Sequence, residues 1–199
     1  MSIISANVKI KGLDYLLLNN PQTVDRFNKY AKRMAAINAK KTRRTDDDYL
    51  ELRRIEVESK MYFDENIGVY VPSTWLTAAI GVNAFRVAKI SKADIRGAVF
   101  ATADKCKLAF DKSNIVKSLQ DVVGNTNFHH SATLKQGQVR IVKYFPIFKH
   151  WSFECGIEFD DKIIDADSLS RIIHHAANYG GFGDFRPTFG RATAEVSYE

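Results

Sequence analysis

Two histidine pairs, His129-His130 and His174-His175, together with His150 beside Trp151, are the side chains of this sequence best suited to acid–base chemistry. An imidazole titrates near neutrality and can both take and return a proton. Catalysis also needs a group that orients the ring or receives the proton, and no motif spacing supplies one for any of the five. His174 and His175 fall on the polar side of a helical stripe and read as a solvent-facing pair. Carboxylates recur at Asp46-Asp47-Asp48, at Asp160-Asp161 and at Asp165 with Asp167. The triplet stands where a helix N-terminus favours negative charge, and the others read as turn residues. Cys106 and Cys155 lack metal-ligand spacing and are too few for a disulfide framework. The expectation is no metal, no cofactor and no assigned catalytic residue.

Charge is the stronger signal. Between Pro21 and Thr45 stand Arg26, Lys29, Lys32, Arg33, Lys40, Lys41, Arg43 and Arg44 against the single acid Asp25, and the sign reverses at Asp46. Cations spread over two helical turns and a helix exit fit contact with a phosphate backbone, which is salt-sensitive and independent of sequence. A merely solvated helix face has the same composition. "RIVKYFPIFKHW" adds Arg140, Lys143 and Lys149 among aromatic rings. The 199-residue chain carries 29 Lys and Arg against 23 Asp and Glu, a formal charge of +6. That balance favours an anionic partner, nucleic acid before a membrane surface.

The glycine segment "YGGFGDFRPTFGR", Tyr179 to Arg191, poses a separate question. Gly180 or Gly181 is explained by ending a helix. Gly183 and Gly190 need another reason: a tight turn, or the close approach of another backbone, a phosphate chain included. Arg186 and Arg191 flank that approach. Phe182, Phe185 and Phe189 either stack bases or close the core.

These residues need elements to hold them. "ANVKIKGLDYLLL" alternates as an opening strand interrupted at Gly12. A helix is predicted from Thr23 as cap, with Val24, Phe27, Ala31, Met34 and Ala35 on one stripe. Thr45 caps a second, running to about Met61. A short hairpin or loop turning at Asp64-Glu65-Asn66 leads to a helix through Trp75, Leu76, Ala79, Val82 and Phe85. Arg96 to Ala103 is a strand candidate, and "NTNFHHSATLKQGQ" reads as a loop. The strand at 139–148 is broken by Pro146, which points to an edge or a bulge. "WSFECGIEF" alternates strictly, with Trp151, Phe153, Cys155, Ile157 and Phe159 on one face. Asp167 or Ser168 caps a helix whose buried stripe is Leu169, Ile172, Ile173, Ala176 and Ala177. A final strand places Ala192, Ala194, Val196 and Tyr198 on one face. The pattern is an α+β fold, helices packed on an antiparallel sheet, with residues 1–199 as one domain. Residues 21–62 form a basic helical insertion, and 140–199 form the strand–helix–glycine loop–strand part of the core.

"GFGDFRPTFGRATAEV", Gly181 to Val196, resembles the glycine-rich loop of the repeat-associated (RAMP) superfamily of CRISPR proteins, which lies between the last helix and the last strand. Gly181, Phe182, Gly183 and Gly190 match its outline, and Asp184 departs from the basic and small residues common there. The resemblance implies a ferredoxin-like (RRM-like) core and RNA held along its backbone. A viral or mobile-element relative of that lineage, binding single-stranded DNA, has the same composition. Some members of the superfamily cleave RNA with a histidine, which would make His129, His130 or His174 the catalytic candidates here.

The expected function is non-enzymatic binding of single-stranded RNA or DNA. The binding residues would be Arg26, Lys29, Lys32, Arg33, Lys40, Lys41, Arg43, Arg44, Lys143, Lys149, Arg186 and Arg191, with Gly180, Gly181, Gly183 and Gly190 shaping the loop. The protein would act as a homo-oligomer or as a subunit of a larger complex. A metal-independent endoribonuclease and a protein-interaction or inhibitor module are the alternatives. No run approaches the roughly 18 apolar residues of a membrane span and no signal peptide opens the chain, so a cytoplasmic protein is expected, in the host cytoplasm if viral.

Overall fold

The computed structural model of the protein describes residues 2–198. In chain order the strands are β1 (Ile3–Gly12), β2 (Leu16–Leu17), β3 (Phe63–Asp64), β4 (Gly68–Pro72), β5 (Val99–Ala101), β6 (Lys105–Ala109), β7 (His129–Gln136), β8 (Val139–Phe148), β9 (Ser152–Asp160) and β10 (Ala192–Tyr198). The helices are α1 (Lys29–Asn38), α2 (Asp46–Lys60), α3 (Thr74–Ala88), α4 (Lys92–Ala98), α5 (Leu119–Val123) and α6 (Ala166–His175).

Seven strands make one antiparallel sheet in the order β10-β1-β9-β6-β4-β3, with β5 also pairing β9. Taking β1, α3, β5, β9, α6 and β10 in turn gives the β-α-β-β-α-β order of a ferredoxin-like core, the last strand beside the first. The alternation in the sequence explains its two faces. Val8, Ile10, Phe153, Cys155, Ile157, Phe159, Ala192 and Ala194 are buried. They share one core with Leu76 and Ile80 of α3 and with Leu169, Ile172, Ile173, Ala176 and Ala177 of α6. The opposite face is open to solvent and mixed in charge: Lys9, Lys11, Lys105 and Lys107 stand among Glu154, Glu158 and Glu195, and Lys9 pairs with Glu154 at 3.3 Å.

Residues 21–62 lie between β2 and β3, and Val57 of α2 and Met61 join the main core. A small antiparallel sheet, β2-β8-β7, lies beneath α2. Phe110, Phe128 and Phe148 join it to the main core, with Phe110 and Phe148 ring centroids 4.6 Å apart. Outside α2 lies α1, and Tyr30, Ile37 and Ile55 form a separate small core between them. Thr45 starts α2 through a reciprocal cap: its hydroxyl accepts the Asp48 N–H at 3.3 Å, and the Asp48 carboxylate accepts the Thr45 N–H at 3.0 Å.

Several expectations are corrected. Thr23 caps no long helix: Pro21–Val24 is a single 3-10 turn capped by Asn20. The Asp25 carboxylate then accepts the Phe27 N–H at 2.8 Å, and Asn28 caps α1 by accepting the Tyr30 N–H at 2.9 Å. Those local bonds compete with helix and delay it by a turn. Val24 and Phe27 are left 85% and 66% exposed, and Tyr30 and Ile37 are buried instead. On α3 the buried side is Leu76, Ala79, Ile80 and Ala84, while Val82 and Phe85 face out. Asp165, and neither Asp167 nor Ser168, caps α6: its carboxylate accepts the Ser168 N–H at 2.8 Å, and a π turn over Ala176–Gly180 extends the helix. Its expected stripe is buried throughout.

The polar stretch read as a loop contains β7, paired along its length with β8 from His129↔Pro146 to Gln136↔Val139. Only the partner strand reveals it, because most of the hairpin is exposed on both faces and the apolar alternation is lost. Pro146 marks neither edge nor bulge, since β8 is the central strand. Its carbonyl accepts the Leu18 N–H at 3.1 Å, and the ladder to β2 stops there, where a proline has no N–H to return.

Candidate nucleic-acid interface

Helical packing divides the eight cations of residues 21–45 into two groups. Arg33 is an internal brace: its guanidinium bonds Glu51 at 2.6 Å and the buried Glu58 at 3.0 Å. Those two carboxylates raise its pKa further above the usual arginine value, against a smaller opposing effect of burial. Lys40 donates to the buried Asp48 at 2.5 Å, so it holds the start of α2. Lys143 is held by Glu56, buried on α2, at 2.6 Å, and the same carboxylate accepts the Tyr144 N–H at 2.8 Å.

Arg26, Lys29, Lys32, Lys41, Arg43 and Arg44 form no ion pair among the described residues. Several sit on aromatic rings instead. The Arg26 guanidinium lies 4.9 Å and the Lys32 ammonium 5.8 Å from the centroid of the exposed Phe27. Arg44 lies 5.8 Å from the ring of Tyr49, which is 54% exposed. Arg44 Nε is also buried without a hydrogen-bond partner. The insertion thus displays unneutralised cations interleaved with solvent-facing rings. Sequence reasoning found the cations. It missed the rings, because it assigned Phe27 to a buried stripe and gave Tyr49 no role.

The glycine loop leans on its own chain. Asp184 N–H donates to Leu17 O at 2.9 Å, Gly190 N–H to Tyr15 O at 2.8 Å, and Phe182 N–H to Gly190 O at 2.8 Å. Gly181, Gly183 and Gly190 have φ of +71°, +76° and +82°, and a side chain on Gly183 or Gly190 would run into the Leu17 or Phe182 carbonyl. The close approach is therefore intramolecular. Phe182 is buried against Trp151 and Phe153, while Phe185 and Phe189 gather with His130, Phe145 and Tyr15. Arg191 bonds Asp14, N–H at 3.1 Å and Nε at 3.4 Å. Exposed Arg186 pairs with no described carboxylate and lines a cleft between α3 and the loop. Lys149 lies 5.4 Å from the Tyr15 centroid.

The histidines do not come together. His129 uses both ring nitrogens: Nδ1 accepts from Arg53 Nε at 3.0 Å, and Nε2 donates to Val122 O at 3.2 Å. Burial first, and then the charge of Arg53, push its pKa below the ordinary imidazole value. His130 packs edge-on to Phe189 at 5.3 Å. His174 is exposed on α6, and no described hydrogen bond or ring contact joins it to the other two. No group of three His, Cys, Asp or Glu among the described residues is placed to hold a metal, and no described helix is long and apolar enough to cross a membrane.

No protein-family model matches this chain, and no curated protein does. Solved structures do. One is the crystal structure of Cmr6 from Pyrococcus furiosus, to which the chain is similar over 98% of its own length and 100% of that chain, at 13% identity and a TM-score of 0.36.

Proposed function

We propose that the protein is a non-enzymatic, RAMP-like nucleic-acid-binding subunit that holds single-stranded RNA or DNA by its backbone on the outer surface of the α1–α2 insertion. One observation carries the reading: Phe27 and Tyr49, both solvent-facing, lie beside Arg26, Lys32 and Arg44, which have no carboxylate partners among the described residues. Cations supply sequence-independent attraction to phosphates, and exposed rings supply platforms for bases that only a single strand can unstack. The open face of the main sheet is mixed in charge and fits a phosphate backbone less well. Its lysines alternate with exposed glutamates that repel phosphate, and of its rings Phe100 is 54% exposed while half-buried Tyr70 lies under Lys105, whose charge Asp64 neutralises. The RAMP-like reading draws on the loop of Gly181, Gly183 and Gly190, which sits between α6 and β10 of a ferredoxin-like core.

The test is fluorescence anisotropy with labelled single-stranded RNA, single-stranded DNA and duplex over a range of salt. Single strands bind more tightly than duplex, and log K falls linearly with log salt. A triple variant, Arg26→Glu, Phe27→Ala and Lys32→Glu, loses that binding while its circular dichroism is unchanged. Equal binding by parent and variant at low salt overturns the reading.

A further inference from the structure

The cleft between α3 and the glycine loop is a second site, and we propose that it takes one unstacked base of the bound strand, with a preference for bases that carry an amino group. The proposal rests on the nucleic-acid reading above and names what a different part of the surface recognises. The cleft measures about 590 Å³, within the range of small-ligand sites.

Its chemistry selects a flat, neutral ligand. One wall is the solvent-facing side of α3, where Val82 is 66% exposed and the Trp75 ring is held edge-on against Tyr62, centroids 5.7 Å apart. Apolar side chains left open on a rigid helix favour a ring system over water. Arg186 is the single cation of the lining, and half-buried Asp184 faces the same space. One arginine opposed by one carboxylate cannot hold a run of phosphates, but it can meet one phosphate at the rim. Asp184 fixes the hydrogen-bonding polarity. Its Oδ2 accepts Asn19 Nδ2 at 2.6 Å and its Oδ1 accepts the Phe185 N–H at 2.8 Å. Each oxygen keeps a second lone pair, and an ionised carboxylate only accepts. Adenine, cytosine and guanine bring an exocyclic amino donor to it. The corresponding donor of uracil, N3–H, lies between two carbonyls that a carboxylate repels.

Two tryptophans allow a direct readout. Trp151 is fully buried with its indole N–H bonded to Asp14 O, so a ligand in the cleft quenches Trp75. The full chain is titrated with AMP, CMP, GMP and UMP into the millimolar range at high salt, where backbone attraction is screened. The first three quench, and UMP binds about tenfold more weakly, as expected for one hydrogen bond to a charged acceptor. Asp184→Asn removes that preference. Because Asp184 also anchors the loop, Ala78→Phe, at an exposed lining position of α3, provides an independent block and abolishes quenching with the fold intact. No quenching by any monophosphate, or equal affinity for UMP, overturns the proposal. If labelled strands still bind at low salt in that case, the backbone interface stands and the cleft assignment alone falls. Loss of both binding modes removes the two together.

Discussion

The α-carbon of Gly183 faces the carbonyl of Leu17 with no room for a side chain between them. The next residue, Asp184, donates its N–H to that same carbonyl at 2.9 Å. The loop is thereby clamped onto β2 before any ligand arrives. Gly183→Ala therefore costs stability twice, through a left-handed backbone at φ +76° and through the clash, together about 2–4 kcal/mol. Urea unfolding of parent and variant measures it. An unchanged midpoint would mean that the loop yields freely.

Lys41, Arg43 and Arg44 have no carboxylate partner among the described residues, whereas Lys40 holds Asp48 at the start of α2. Reversing the exposed Lys41 and Arg43 to glutamate lowers the salt dependence of single-strand binding, by up to about one unit of slope for each phosphate no longer neutralised, and leaves the melting temperature within error. Lys40→Glu lowers the melting temperature instead. The paired measurement separates a phosphate-binding cation from a brace.

Glu56 accepts from Lys143 and from the Tyr144 N–H, tying α2 to β8. Glu56→Ala strands that backbone donor and frees the lysine, at a cost of about 1–3 kcal/mol. Thermal melts at neutral pH report it. Lys143→Met is milder, because Glu56 keeps the Tyr144 bond.

Burial, and then the charge of Arg53 beside it, favour the neutral form of His129 in the fold against the smaller opposing effect of its bond to Val122 O. Its folded pKa lies below the unfolded value of about 6.5. The unfolded chain therefore binds the extra proton first, and stability falls as pH drops below about 6.5. Above that value the contribution is complete. His129→Gln flattens this part of the stability–pH curve, and a curve as steep as the parent's would assign the acid sensitivity to other groups.

With no free nitrogen on His129, the ring has no site from which to take a proton from a ribose hydroxyl. Labelled single-stranded RNA incubated with the protein, with or without magnesium, remains intact on denaturing gels. Cleavage abolished by His130→Ala or His174→Ala would establish an enzyme instead.

Local pattern alone determined the strands and helix that carry a strong period. Trp151 to Phe159 alternate, Leu169 to Ala177 repeat at helical spacing, and both are buried as the pattern requires, because one face of each must leave water whatever it packs against. The Thr45 cap was legible for a similar reason, since its partner, Asp48, lies three residues away. Tertiary structure decided what depends on distant partners. β7 exists because β8 pairs with it, and its polar residues carry no alternation to announce that. Phe27 is exposed because Asp25 and Asn28 bind nearby N–H groups and turn the chain away from α1. Charge along the sequence marked all eight cations of residues 21–45 alike. Only the packing of α1 on α2 set Arg33 and Lys40 against buried carboxylates and left Arg26, Lys29, Lys32, Lys41 and Arg43 facing water, since ion pairs between helices form by proximity in space that spacing along one chain does not encode.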